Sequence, residues 1–173
     1  MIEQEKENKL KKVYSLAVII WSAYIISVFL YGLFVYLIEN KIIQMETLGK
    51  GKENLKDLLI SGLVILSLIE IFIGKYLQKI ITNPEKIAKN LQSLPDTSTI
   101  GGSLQSSMII TMAFGQSIVL YGLFLYLMFH TADIFLYFAV TGLLFQLISY
   151  PNWNSWQDTA EEVLKIMPDA KAG

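Results

Sequence analysis

Residues 27–38, SVFLYGLFVYLI, recur ninety positions later at 117–128 as SIVLYGLFLYLM, with eight of twelve positions identical and the other four exchanged between apolar residues. Ala23 against Ala113 and Tyr24 against Phe114 carry the match backwards. Apolar helices resemble one another by composition, but a shared LYGLF core in register with Ser, Tyr and Leu goes beyond composition. The chain therefore reads as a duplicated unit, and a repeat of this length and apolarity is the signature of tandem membrane hairpins. The second halves of the units repeat more weakly. Ser61-Gly62-Leu63-Val64 aligns with Thr141-Gly142-Leu143-Leu144 at an offset of eighty, a shorter second outer loop absorbing the difference.

Of the 173 residues, 53% are hydrophobic, and the mean hydropathy is +0.47. A bilayer core takes about 20 mostly apolar residues per helix. Residues 13–38, 58–73, 104–129 and 134–150 supply four such runs, the last being the shortest and ending at Pro151. The first is far longer than the roughly 7–15-residue apolar core of a secretory signal, and so is expected to remain as a span. The expected fold is all-α and integral to the membrane: four transmembrane helices as two tandem hairpins, with short amphipathic surface helices. The organisation follows: 1–82, a first hairpin with its N-terminal tail; 83–103, a cytoplasmic connection with a surface helix; 104–150, a second hairpin; 151–173, a C-terminal amphipathic helix.

Lysines set the orientation. Ten lie in the N-terminal tail, the central connection with its approach, and the C-terminal tail, while Lys41, Lys50, Lys52 and Lys56 fall in the first outer loop. The bias favours both termini on the cytoplasmic side of the inner membrane. Net charge is −1, which gives no electrostatic basis for a nucleic-acid partner. The expected partners are the lipid bilayer and either a second copy or a larger membrane complex.

In the connection, Asn83 can cap a helix that begins at Pro84, with Ile87, Leu91 and Leu94 on its inner side and Pro95-Asp96 at its end. This helix is expected to rest on the membrane surface or on a partner. Gly101-Gly102 is read as the release into the third span. Gly49 and Gly51 mark the first outer loop as flexible, and 130–133 is a tight outer turn. In the tail, Ser155 with Asp158 resembles a capping pair. Trp156, Ala160, Val163, Leu164 and Met167 form an apolar stripe that Pro168 ends. Trp153 and Trp156 stand where interfacial anchors belong.

Chemistry is sparse. With no cysteine and the single histidine His130, neither a thiolate centre nor a typical zinc site is in view. No catalytic constellation, metal or cofactor is expected. Glu70, Gln116 and Gln146 each fall twelve residues past the start of their apolar run, about 18 Å along a helix, and can meet in one central polar cluster. A carboxylate at that depth needs a proton, a partner or water. Glu70 has three readings: a member of an interhelical hydrogen-bond knot with Gln116, Gln146, Tyr31 or Tyr121; an ion-carrying carboxyl; or a group reaching headgroup water. Ser27, Tyr31 and Gly32, and their repeats Ser117, Tyr121 and Gly122, read as helix-packing positions, which makes spans one and three the expected centre of the bundle.

At these residues the chain resembles the proteolipid subunit c of rotary ATPases, in which a membrane carboxylate precedes a Tyr-Gly-Leu sequence by five residues. Gln116 and Ile26 occupy the carboxylate positions ahead of Tyr121 and Tyr31, so no ion site carries over, and the motif falls on the first helix of each hairpin rather than the second. The second half also looks similar to uncharacterised bacterial four-helix membrane proteins, through Tyr121-Gly122-Leu123 and the Tyr150-Pro151 to Trp156 segment. That resemblance implies architecture only. The reading is a non-catalytic accessory or oligomerising membrane subunit, with a small ion carrier or channel using Glu70 as the alternative and a membrane enzyme a distant third.

Overall fold

The computed structural model describes residues 4–45, 53–91 and 97–167, the side chains of residues 53, 54, 97 and 98 aside. Gly49, Gly51, Leu94, Pro95, Asp96 and Pro168 lie outside the described residues. Every regular element among those described is an α-helix: α1 (Gln4–Glu39), α2 (Glu53–Ile81), α3 (Pro84–Asn90), α4 (Thr97–Phe129), α5 (Ala132–Ile148) and α6 (Trp153–Ile166). Apolar runs adopt this form because a helix satisfies its backbone polar groups internally. α1, α2 and α4 are long and apolar enough to cross a membrane; α5 and α6, bent by 50° at the break between them, pass the same test only as a pair. The fold is compatible with a multi-pass membrane protein.

Local chemistry sets the helix ends. Asn83 Oδ1 accepts from the amides of Glu85 and Lys86 at 3.0 and 3.2 Å, and Pro84 opens α3, as the sequence predicts. The C-terminal helix differs from expectation. Its cap is Asn152, whose Oδ1 accepts from Asn154 and Ser155 at 2.9 and 3.4 Å, so Ser155 lies within the first turn instead of capping it. Both first helices of the repeat end on a left-handed residue that is not glycine, Lys41 at φ 57° and His130 at φ 48°. The His130 amide bonds Tyr126 O at 2.7 Å, which satisfies the end of α4 and leaves only His130 and Thr131 between α4 and α5.

The chain divides into two compact units. One comprises Met1–Trp21, Gly74–Thr111 and Ser149–Gly173. Its lysines among the described residues are Lys6, Lys9, Lys11 and Lys12 of α1, Lys75 and Lys79 of α2, Lys86 and Lys89 of α3, and Lys165 of α6. Ile87, Ala88 and Leu91 are buried, as are Trp156, Ala160 and Val163, and α3 packs on α6. The surface helix thus has a partner within its own chain. Gly101 and Gly102 are not a release point but part of α4. A Cβ on Gly101 would stand 3.1 Å from that of Val13, so this glycine admits α1 close to α4.

The second unit comprises Ser22–Ile73 and Met112–Ile148. Val28, Val35 and Ile38 of α1 bury against Val119 and Tyr126 of α4 and Phe135 and Ala139 of α5. A second cluster sets Leu59, Ile60 and Leu63 of α2 against Ile118, Leu125 and Phe138. Span three is central and span one is not: 44% of the most apolar window of α4 is buried, against 11% for α1 and for α2. The physical reason is side-chain size. α4 carries Gly101, Gly115 and Gly122 at close contacts, whereas α1 has Gly32 alone among bulky Ile, Leu and Phe.

Candidate functional site

The most polar positions of the apolar helices sort into two pairs. Tyr121 Oη of α4 donates to Glu70 Oε1 of α2 at 2.5 Å. Gln146 Nε2 of α5 donates to Gln116 Oε1 of α4 at 3.2 Å, with both glutamines buried. Gln116 and Tyr121 are five residues apart on one helix, which separates them by about 7.5 Å along the axis and about 140° around it. One therefore addresses α5 and the other α2. The structure brings Gln116 and Gln146 together and gives Glu70 a different partner.

Each pair leaves an unmet atom. Glu70 Oε2 and Gln116 Nε2 are buried and have no hydrogen-bond partner among the described residues. A carboxyl with one oxygen held by a phenol and the other enclosed can take up a proton or a small cation, and a buried amide can donate once more. The sequence offers Tyr121 as one of four candidate partners of Glu70, beside Gln116, Gln146 and Tyr31, and the structure selects Tyr121. The apolar run of span two stops at Ile73, and α2 continues past Lys75 to Ile81. Lys75 Nζ bonds Ser149 Oγ at 3.4 Å and Gln78 Oε1 at 3.5 Å, so its charge does not break the helix.

The packing positions behave differently in the two copies. A Cβ on Gly122 would meet Phe138 Cβ at 2.6 Å, and one on Gly142 would meet Gly115 O at 2.6 Å, so α4 and α5 approach backbone to backbone. At Gly32 and Gly62, the repeats of Gly122 and Gly142, an added Cβ would meet nothing within 4 Å. Ser27 and Ser117 each bond back into their own helix, to Tyr24 O at 2.7 Å and Ala113 O at 3.0 Å. Tyr31 packs at the margin of the α1–α4–α5 cluster.

Trp156 is buried and Trp153 partly so. Tyr14 meets both edge-on, at 5.1 Å from Trp153 and 5.5 Å from Trp156, and its hydroxyl donates to Pro151 O at 3.1 Å. These tryptophans anchor α6 to α1 within one unit. Among the described residues no three His, Asp or Glu side chains converge as a metal site requires. No protein-family model, no characterised protein and no solved structure matches the chain.

Proposed function

We propose that this protein is a non-catalytic, multi-pass subunit of the cell's inner membrane, with four spans in two tandem hairpins and both termini cytoplasmic. It assembles with further copies of itself or with a larger membrane complex. One observation carries the reading. Gly122 and Gly142 are spent on an internal helix crossing, while their repeats Gly32 and Gly62 face open space on helices that are nearly as apolar outside as in. Leu58, the repeat of Phe138, is 69% exposed, and Ile26, the repeat of Gln116, is 57% exposed. Small residues that admit a close helix, left open on an apolar surface, suit a transmembrane helix of another chain.

The absence of native cysteine makes the test clean. Single cysteines at Gly32 and Gly62 are introduced and cross-linked in native membranes, with Phe72→Cys and Tyr137→Cys as exposed controls on other positions. Discrete adducts at the two glycines and none at the controls are expected. Equal, diffuse labelling at all four would sink the assembly role.

A second reading rests on Glu70. Its enclosed, unpartnered Oε2 beside the Tyr121 phenol supports a proton- or ion-carrying carboxyl. Modification of Glu70 by a hydrophobic carbodiimide, together with proteoliposome flux lost in Glu70→Gln, is the expected behaviour of a carrier. Wild-type flux in that variant removes Glu70 from any transport mechanism.

A further inference from the structure

The lysine-rich unit contains a cavity of about 310 Å³, at the lower end of the roughly 300–1,000 Å³ range of small-molecule sites. Its polar wall comprises Lys75 and Lys79 of α2, Ser107 of α4, Ser149 and Asn152 of the α5–α6 link, and Thr159 of α6; Trp156 forms part of its apolar wall. No Asp or Glu stands among its described lining residues. Every one of these residues belongs to the same compact unit.

Three features point to an anion. Two lysines, Lys75 and Lys79, stand in the wall with no carboxylate among its described lining residues. Ser107 is 1% exposed, and its Oγ is buried with no hydrogen-bond partner among the described residues. A hydroxyl so enclosed is a donor in wait of an acceptor. The N-terminal turn of α6 borders the cavity, carries no acidic residue and contributes the positive end of the helix dipole. The acidic residues of α6, Asp158, Glu161 and Glu162, are not in the wall.

We propose that this cavity binds a phosphate-bearing anion, with Lys75 and Lys79 balancing its charge and the Ser107 hydroxyl donating to one phosphate oxygen. The position, at the end of the apolar helices that gathers the lysines, favours the headgroup phosphate of an anionic membrane lipid; this choice of source rests on the membrane reading, and the anion site itself does not. A soluble phosphate offers the same chemistry.

The test uses the full chain in mild detergent. Native mass spectrometry follows retention of phosphatidylglycerol against phosphatidylcholine, and tryptophan emission follows addition of inorganic phosphate, since Trp156 lines the cavity. Preferential retention of one phosphatidylglycerol is expected, weakened about tenfold or more in Lys75→Ala/Lys79→Ala and severalfold in Ser107→Ala. The pair Lys11→Ala/Lys12→Ala removes the same charge from an exposed face of α1 and leaves retention unchanged. Inorganic phosphate bound with the same dependence on Lys75, and no lipid preference, would keep the site and make its source soluble. Equal retention of the two lipids with no phosphate response, or equal losses in both lysine pairs, would overturn it. Release of the chain from membranes by carbonate would refute the membrane reading alone, because the phosphate arm still decides the site.

Discussion

Tyr121 of α4 donates its phenol to Glu70 of α2 at 2.5 Å, and this bond is the polar tie that the structure gives between those two helices within their unit. Tyr121→Phe leaves the enclosed carboxyl without its donor and is expected to lower stability by about 1–2 kcal/mol. Adding Glu70→Leu removes the stranded group and should recover most of that loss. Equilibrium unfolding in mixed micelles across the four-member cycle measures the coupling; additive losses would mean that the pair does not interact.

Gly122→Ala places a methyl 2.6 Å from Phe138 Cβ and 3.1 Å from Phe135 O. Overpacking of this kind costs about 1–3 kcal/mol, so the melting temperature of the purified chain should fall. In detergent that separates the chain from its partners, Gly32→Ala meets open space and gains helix propensity, up to about 1 kcal/mol. Opposite signs for one substitution at two repeat-related sites is the expected result, read by thermal unfolding in detergent. Equal effects would contradict the packing described.

Asn152→Ala strips the acceptor from two amides at the start of α6 and should cost about 0.5–2 kcal/mol of local stability. Hydrogen exchange of the first turn of α6 reports it directly. Ser155→Ala, at the position that sequence pattern alone would choose as the cap, should leave that exchange close to wild type.

Trp156→Ala empties the contact that joins α6 to Tyr14 and, with its buried neighbours Ala160 and Val163, forms the inner face of α6. Loss of a buried Trp costs about 3–5 kcal/mol, more than one helix docked on α3 can absorb. Limited proteolysis should then release a C-terminal fragment from the variant while the rest of the chain resists. Uniform digestion of the whole chain would instead point to global unfolding.

Much of the architecture was legible in the sequence, because long apolar runs leave the backbone little choice. All four runs became helices, and Asn83-Pro84 began α3 where its capping chemistry required. Four features were not legible, each for a physical reason. The apolar run of span two stops ahead of Lys75, yet the helix itself passes that residue, with Ser149 and Gln78 supplying polar contacts from α5's end and α2's next turn. Gly101 reads as part of a release into the third span because glycine loosens a chain, but the same missing side chain also lets α1 and α4 touch. Glu70, Gln116 and Gln146 shared a depth count, yet depth says nothing of azimuth, and about 140° of rotation between Gln116 and Tyr121 divides them into separate pairs. The cavity beside Lys75 left no trace in local pattern, since its walls come from three separate stretches of chain.

The two copies of the LYGLF segment are no longer exchangeable. Recombination that wrote the first copy over the second would put Ile25 and Ile26 where Gly115 and Gln116 stand. The Ile25 side chain would collide with Gln146 and with the Gly142 carbonyl, which lie 2.7 and 3.3 Å from the Cβ position of Gly115, and Ile26 would take away the acceptor of the Gln146 amide. Writing the second copy over the first would keep Gly32 and place Gln at the largely exposed Ile26, but it would also put Ile, Leu and Met at the buried Val28, Val35 and Ile38. Overwriting in either direction therefore disturbs a packed position, and the neighbours that each half has acquired keep the two copies from converging again.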